Sequence, residues 1–257
     1  MIKRIVGSVV AALGSLALLI FIEVRLAVRR EYLPTEPAME LGGAFGPPDG
    51  PVLRFAVLGD STAAGLGASS PRAAYPTLLA EKLGSDGFRV ELSALGVSGA
   101  RVNDALHLQS PHAIAFHPDL VFVGIGANDA IHVTPLSALR SDMRELIRKL
   151  KATGAALVVA GAPDMRAAAW HEPLRSLAGW SGRRVAAAVG DVAAGEGVAV
   201  VPLAELAEPY FAAGHADAYG GDGLHPGDGG YHAWAEAIYP YLTEALVSPR
   251  WIHRSAI

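Results

Sequence analysis

Ser61 stands where a nucleophile could act. It follows an apolar run, residues 55–58, and the turn residues Gly59 and Asp60, as expected at the end of an interior strand of a parallel sheet. Ligands of open α/β sheets bind just beyond the carboxyl ends of the strands, so Ser61 would lie at the mouth of a site. Because Gly, Asp and Ser also favour turns for local reasons, the segment alone could be a turn and nothing more.

A base for this serine can come from the C-terminal part of the chain. A serine hydroxyl is a weak nucleophile and needs an adjacent base. His225 suits that role because an imidazole titrates near neutrality. Asp222 precedes it by three residues and is close enough in sequence to bind the other ring nitrogen. Asp129 is an alternative partner for the imidazole, but the three-residue spacing favours Asp222.

Acyl transfer also requires hydrogen-bond donors that face the oxygen on which negative charge develops. The backbone N–H of Ser61 can supply one donor. Gly96, which follows the next predicted strand, can supply a second because it has no Cβ to block a close approach. Asn128 follows a third predicted strand and can add a side-chain N–H. These residues predict a serine nucleophile with an oxyanion hole.

The segments that carry these residues alternate between apolar runs and helical patterns. Such alternation predicts an α/β fold, in which a five-stranded parallel sheet lies between helices in a three-layer α/β/α sandwich. The carboxyl ends of the strands would bring Ser61, Gly96 and Asn128 to one edge. We predict strands near residues 52–58, 89–94, 120–125, 156–160 and 198–201, and helices near residues 75–83, 103–113, 135–152, 174–194 and 230–246.

The N-terminus has the pattern of a membrane anchor. Residues 5–22 carry no charge and, at about 1.5 Å per helical residue, are long enough to cross the hydrocarbon core of a bilayer. A cleavable signal peptide is the alternative, but the run ends without the small-residue cleavage site of such peptides. We expect an uncleaved, single-pass anchor in residues 1–30, a proline- and glycine-rich linker in residues 31–51, a folded domain in residues 52–248 and a tail in residues 249–257.

Composition narrows the possible functions. The 257-residue chain has no cysteine, which excludes disulfides, thiolate metal sites and cysteine nucleophiles. Its formal net charge of −4 and the lack of a basic cluster argue against a nucleic-acid partner. None of its nine histidines has a metal-binding spacing, so we expect no metal site. Met165 and Trp170 follow the fourth predicted strand and are candidates for an acyl-binding wall, with core packing as the alternative for Trp170.

Four segments of the chain carry the predicted nucleophile, base and oxyanion donors: Gly59-Asp60-Ser61, Gly96, Gly126-Ala127-Asn128-Asp129 and Asp222-Gly223-Leu224-His225-Pro226. Together they resemble the sequence blocks of the SGNH (GDSL-type) hydrolase superfamily. Thr62 stands where the fuller GDSL pattern has leucine, a departure that bears on the subfamily and not on the chemistry. All four stand in the order of that family and extend over residues 54–246.

The resemblance implies a flavodoxin-like SGNH fold and a catalytic triad of Ser61, His225 and Asp222. It also implies an oxyanion hole formed by the Ser61 amide, Gly96 and Asn128, and no metal or organic cofactor. The expected activity is hydrolysis of carboxylic esters, with deacetylation of cell-envelope glycans as an alternative at the same site. A non-catalytic alternative is a membrane-tethered binding module whose site has degenerated.

The N-terminal segment and the Ala- and Gly-rich composition are similar to those of actinobacterial members of this superfamily that are secreted or tethered to the cell envelope. This similarity implies a small-molecule, lipid or glycan ester as substrate and the membrane as a partner. We therefore expect the folded domain to lie outside the cytoplasm.

Overall fold

A six-stranded mixed sheet lies at the centre of the fold. The computed structural model describes residues 2–36 and 38–247, so the predicted tail at residues 249–257 lies outside the described residues. The strands are β1 (Gly43–Phe45), β2 (Val52–Gly59), β3 (Arg89–Ala94), β4 (Leu120–Gly124), β5 (Ala156–Ala160) and β6 (Ala199–Val201). Strands β2 to β6 are the five predicted parallel strands, and β1 is an additional antiparallel edge strand.

The strand order explains where a site can form. The order across the sheet is β1-β3-β2-β4-β5-β6. The chain therefore leaves β2 toward β3 on one side and returns to β4 on the other side. Doubly wound sheets bind ligands at such a switch point, outside the carboxyl ends of the strands. Here β2 leads to Ser61, β3 leads to Gly96 and β4 leads to Asn128.

Helices on both faces of the sheet confirm the predicted three-layer sandwich. The helices are α1 (Ile2–Arg29), α2 (Tyr75–Ser85), α3 (Val102–Asp104), α4 (Ser110–Ala115), α5 (Ala127–Ile131), α6 (Leu136–Lys151), α7 (Leu174–Gly195), α8 (Leu203–Ala212) and α9 (Asp228–Leu246). A π-helical turn, Ala105–Gln109, joins α3 to α4. This interrupted helix packs with α6 and α7 on one face, and α2 and α9 cover the other face.

The packing of α6 shows how the sequence selects this arrangement. Its apolar residues recur at three- and four-residue spacing, which places them on one face of a helix. On the other face, exposed basic side chains pair with acidic ones, as where Arg140 Nη2 lies 2.8 Å from Asp191 Oδ2. Exposed ion pairs add little stability, so the apolar face determines how the helix docks. The residues buried on that face are Leu139, Met143, Leu146, Ile147 and Leu150.

The predicted linker packs against the domain through its described residues, 31–36 and 38–51, and it extends the sheet. Leu41 is 4% exposed within the core, and β1 pairs with the edge of β3. The indole Nε1 of Trp170 donates a hydrogen bond to the Tyr32 hydroxyl at 3.2 Å. Proline and glycine content indicates a spacer, but the outer edge of β3 has backbone groups that need partners, and this segment supplies them.

The apolar surface of α1 is exposed. The stretch Arg4–Arg29 is long and apolar enough to cross a membrane, and none of its most apolar part is buried. A signal sequence has the same length and composition, so the anchor stays a prediction. At the end of α1 the chain meets the domain, where Arg30 Nη1 donates a hydrogen bond to the Ala169 carbonyl at 3.2 Å.

Leu41→Ala tests whether residues 31–51 contribute to stability. We expect it to lower the free energy of unfolding by about 2 kcal/mol, because it removes buried carbon atoms and leaves a cavity. The matched control is Leu206→Ala on α8, where the leucine is 48% exposed. That control should change the free energy by less than about 0.5 kcal/mol. Denaturant unfolding of the full chain in detergent gives both values, and equal small changes would mean that the segment is a linker after all.

Candidate active site

Ser61, His225 and Asp222 lie in hydrogen-bond contact at the carboxyl edge of the sheet. Ser61 Oγ is 3.0 Å from His225 Nε2, and His225 Nδ1 is 2.7 Å from Asp222 Oδ2. The His225 and Asp222 side chains are 13% and 1% exposed, so the carboxylate is shielded from water. A proton on Nδ1, held by the carboxylate, leaves Nε2 free to accept the serine proton.

The Asp222 carboxylate is oriented by its own turn. Its Oδ1 accepts hydrogen bonds from the backbone N–H groups of Leu224 at 2.9 Å and His225 at 3.0 Å, which leaves Oδ2 for the imidazole. Burial opposes the charge, but the His225 ring and these two N–H groups outweigh it and hold the pKa of Asp222 well below its ordinary value. The carboxylate therefore stays ionised and can stabilise a protonated imidazole.

Gly67 allows the serine and histidine segments to meet. Its φ is +102°, in the region that favours glycine. A Cβ on Gly67 would lie 2.3 Å from the Pro226 carbonyl oxygen and 3.0 Å from His225 Cβ. The loop that follows Ser61 thus packs directly against the histidine segment, which keeps Ser61 and His225 close together.

The predicted oxyanion donors lie on the two loops beside Ser61. A Cβ on Gly96 would lie 2.4 Å from Ala64 N, so the Gly96 backbone closely approaches the turn after the serine. Among the described residues, the N–H groups of Ser61 and Gly96 have no acceptor. Asn128 lines the same cleft as Ser61, and its Nδ2 donates to the Ala100 carbonyl at 3.1 Å. An amide has two N–H bonds, so the second stays available to a ligand.

Two other buried carboxyl groups hold loops instead of contacting the imidazole. Asp60 Oδ1 accepts hydrogen bonds from Thr62 N at 3.0 Å and Thr62 Oγ1 at 2.8 Å, which closes the turn after β2. Asp129 Oδ2 accepts one from Val102 N at 3.0 Å. Burial raises the pKa of both carboxyl groups. Neither of them takes the place of Asp222.

A cleft of about 750 Å³, counting its open mouth, extends from Ser61. One wall comes from the loop at residues 163–167 and another from α8. Apolar walls beside a nucleophile can bind a hydrocarbon group. The apolar residues that line the cleft include Met165, Leu203, Ala207, Phe211 and Trp234.

Of the two predicted acyl-wall residues, Met165 lines the cleft and Trp170 does not. Met165 is 5% exposed and packs against α7, where a Cβ on Gly182 would lie 2.5 Å from its Cγ. The indole of Trp170 belongs to the core and bonds to Tyr32. The structure therefore places Trp170 in the alternative role of core packing, because the segment after α1 reaches its indole.

Sequence reasoning missed α8 and Gln109. Pro209 lies inside α8, where a proline argues against a helix, and the helix has only ten residues. The four-residue spacing of the buried Leu203 and Ala207 is the one feature that points to a helix there. Gln109 bonds to both backbone polar groups of Gly59, and no motif marks it.

Sequence comparisons agree on one family. A profile of the GDSL-like lipase/acylhydrolase family matches residues 57–233. The chain is 30% identical over 202 residues to the GDSL-like esterase Rv1075c of Mycobacterium tuberculosis, a match that covers 76% of this chain and 63% of that protein. The chain thus spans less than two thirds of the length of this relative.

Solved structures share the fold. The crystal structure of TesA matches with a TM-score of 0.60 and 24% identity, over 75% of this chain and 99% of TesA. A two-domain esterase (CEX) active on acetylated mannans matches with a TM-score of 0.61 and 19% identity, over 78% of this chain and 51% of that chain. At these identities the likeness concerns the arrangement of helices and strands.

Proposed function

Because the chain belongs to the GDSL-like lipase/acylhydrolase family, we propose that it is a serine esterase that hydrolyses carboxylic esters through an acyl-enzyme on Ser61. Family membership confirms the resemblance of the four sequence blocks to the SGNH superfamily. The observation that carries the proposal is the hydrogen-bonded relay from Ser61 Oγ through the His225 ring to the buried Asp222.

In the proposed reaction, Ser61 Oγ attacks the ester carbonyl carbon while His225 Nε2 accepts the hydroxyl proton. The carbonyl oxygen becomes negative and is bound by the N–H groups of Ser61 and Gly96 and by the Asn128 amide. When the bond to the alcohol breaks, His225 donates its proton to the leaving oxygen. Water then attacks the acyl-enzyme with His225 again as base, which releases the acid. Asp222 stays ionised and holds the Nδ1 proton throughout.

The lining of the cleft indicates that it binds the acyl group of the substrate and that this group is apolar. Its walls from α8 and from Met165 are largely hydrocarbon, and they begin beside the nucleophile. Burial of each methylene is worth about 0.8 kcal/mol, so such walls favour an acyl chain over a polar group.

Deacetylation of glycans is a second candidate, and a charged groove next to the cleft favours it. The groove shares four residues with the cleft: Asp164, Glu208, Phe211 and Tyr219. Arg166 lines the groove, and its Nη2 lies 2.6 Å from Asp164 Oδ2 and 3.8 Å from Glu208 Oε1. Charged and aromatic side chains together can bind sugar hydroxyls. A protein of this fold, the esterase CEX, is active on acetylated mannans.

Ser61→Ala and His225→Ala test the mechanism in the full chain in detergent. We expect each to lower kcat on p-nitrophenyl esters by about 10³-fold or more, because each removes the nucleophile or the base. Asn128→Ala keeps the relay and should lower kcat by roughly 10²–10³-fold, the usual cost of one oxyanion donor. In the wild-type chain, a preference for acetate would favour the deacetylase, and a longer optimum would favour an apolar acyl group.

Labelling with a fluorophosphonate distinguishes an inactive site from an active site whose substrate is absent from the assay. The wild-type chain should label at Ser61, and Ser61→Ala should not label. If the wild-type chain is folded but neither labels nor hydrolyses esters, the esterase proposal is wrong, and the binding-module alternative takes its place. Turnover that persists in Ser61→Ala would mean that another residue is the nucleophile.

Substitution of Met165 tests the acyl wall. Met165→Ala enlarges the cleft and should shift the optimum of kcat/KM to longer esters, with roughly a fourfold gain for each methylene that becomes buried. Met165→Trp should shift the optimum to shorter esters. Trp170→Phe is the matched control, because Trp170 does not line the cleft, and its profile should equal that of the wild type. An optimum that moves in neither Met165 variant would place the acyl group elsewhere.

We also propose that α1 anchors the chain in a membrane and that the domain lies outside the cytoplasm. The support is the length of the apolar stretch Arg4–Arg29 and the exposure of its most apolar part. After a carbonate wash, the full chain should stay with the membranes, whereas a chain that begins at residue 30 should be released. Protease added to intact cells should digest the domain. Release of the full chain, or a cleaved N-terminus found by mass spectrometry, would favour a signal peptide.

A further inference from the structure

Gln109, the sole glutamine of the chain, binds both backbone polar groups of one residue. Its Oε1 accepts a hydrogen bond from Gly59 N at 2.9 Å, and its Nε2 donates one to Gly59 O at 2.8 Å. Gln109 is only 2% exposed, so water does not compete for either bond. Gly59 is the last residue of β2 and stands two residues before Ser61.

Gln109 takes the place of a missing strand. β3 ends at Ala94, which pairs with Val57, so β2 runs two residues beyond its neighbour on this side. Alternate residues of a strand direct their polar groups to the same neighbour, so Gly59 directs its N–H and C=O beyond the end of β3. The Gly59 N–H would cost on the order of 1–3 kcal/mol if it were buried without a partner, whereas the carbonyl also accepts a hydrogen bond from Val97 N. The carboxamide accepts one hydrogen bond and donates another to Gly59, which is the pair of bonds that a neighbouring strand would supply.

The Gly59 carbonyl joins the two loops that carry the proposed backbone donors. Besides the bond from Gln109, it accepts a second hydrogen bond from Val97 N at 3.1 Å. Val97 follows Gly96, and Gly59 precedes Ser61 by two residues. The N–H of Ser61 therefore lies two residues from this carbonyl. The N–H of Gly96 lies one residue from the Val97 N–H that the carbonyl binds.

A π-helical turn gives Gln109 its position. The turn spans Ala105–Gln109 and is followed directly by α4. Pro111 has no N–H to donate to the His107 carbonyl, so the regular α-helical ladder is interrupted at this point. Turns of this kind inside helices are frequent at functional sites.

We propose that Gln109 is a positioning residue of the oxyanion hole. Its two bonds hold Gly59, and through Gly59 they set the separation between the N–H groups of Ser61 and Gly96. This role rests on the proposed esterase function, because it concerns how fast negative charge forms beside the serine. Gln109 does not line the cleft, so its loss should lower kcat more than it changes KM.

Gln109→Glu makes this role titratable. A protonated glutamate has one donor and one acceptor and reproduces both bonds, whereas an ionised glutamate has only acceptors and opposes the Gly59 carbonyl. Burial raises the pKa of a carboxyl group above its ordinary value of about 4.3. The ratio of the variant's kcat to that of the wild type should therefore fall as pH rises through the raised pKa. Between about pH 5 and pH 9 we expect a fall on the order of tenfold, since loss of a whole oxyanion donor costs about 10²–10³-fold.

Other titratable groups near this point contribute to the pH profiles of both chains. They are His107 on the π-helical turn, Asp60 after β2, Asp129 beside α3, and the His225 base itself, and all four are present in both chains. A pH-dependent ratio therefore reports the introduced carboxyl group.

Two further variants serve as controls. Gln109→Met keeps the approximate size but makes neither bond, so kcat should fall on the order of tenfold at every pH. Ser110 is the next residue and is also buried, and its Oγ donates to the Leu106 carbonyl at 2.7 Å inside the helix. Ser110→Ala should lower the unfolding temperature and leave kcat near the wild-type value.

The outcomes separate the role of Gln109 from the proposed function. Wild-type kcat in both Gln109 variants would overturn the positioning role alone. So would an equal, pH-independent loss in Gln109→Glu and Ser110→Ala, because Gln109 would then only stabilise its helix. A wild-type chain that neither hydrolyses esters nor labels at Ser61 would overturn the esterase and this role with it.

Discussion

The hydrogen bond between Ser61 and His225 joins segments that are 164 residues apart, and the rest of the site depends on it. Hydrogen bonds weaken steeply when their geometry is lost, so both segments must be held firmly. On the serine side, β2 is an interior strand with Phe55 and Leu58 fully buried. On the histidine side, the His225 carbonyl accepts a hydrogen bond from Gly220 N at 2.8 Å. The relay is the point where two separately stabilised parts of the fold meet.

The end of β2 is where sheet hydrogen bonding stops and side chains take over. Buried peptide groups need partners, and beyond the end of β3 no strand supplies them. The Gln109 side chain forms hydrogen bonds with the backbone N–H and C=O of Gly59, and the Asp60 carboxylate accepts one from Thr62 N in the turn that follows. A serine that faces a cleft must leave the sheet, so polar side chains from other elements are needed to hold the turn that presents it.

The chain just after α1 is tied to the same region. Arg30 bonds to the Ala169 carbonyl, and Leu33 N donates to Asp222 Oδ2 at 3.4 Å. Ala169 N in turn donates to the Gly223 carbonyl at 2.8 Å. Contacts with the domain therefore begin in the last turn of α1, where Ala27 packs against the core, and they reach the turn that holds the carboxylate. Little free chain separates the apolar helix from the site.

The sequence by itself determined the features that depend on neighbours along the chain. Apolar runs and helical spacing predicted the five parallel strands and the buried face of α6, because the spacing of apolar residues shows which face of a strand or helix packs against the core. The three-residue spacing of Asp222 and His225 predicted their contact, because one short turn brings them together.

Only the tertiary structure decided what happens where a strand edge or strand end has no partner. The pairing of β1, which lies in the predicted linker, follows from the open edge of β3. The role of Gln109 follows from the end of β3, beyond which no strand supplies an acceptor for the Gly59 N–H. The place of Trp170 follows from the segment after α1 that reaches its indole. Each of these depends on a contact between residues far apart in the chain, and no local pattern records which distant group will satisfy a buried backbone or cover an apolar ring.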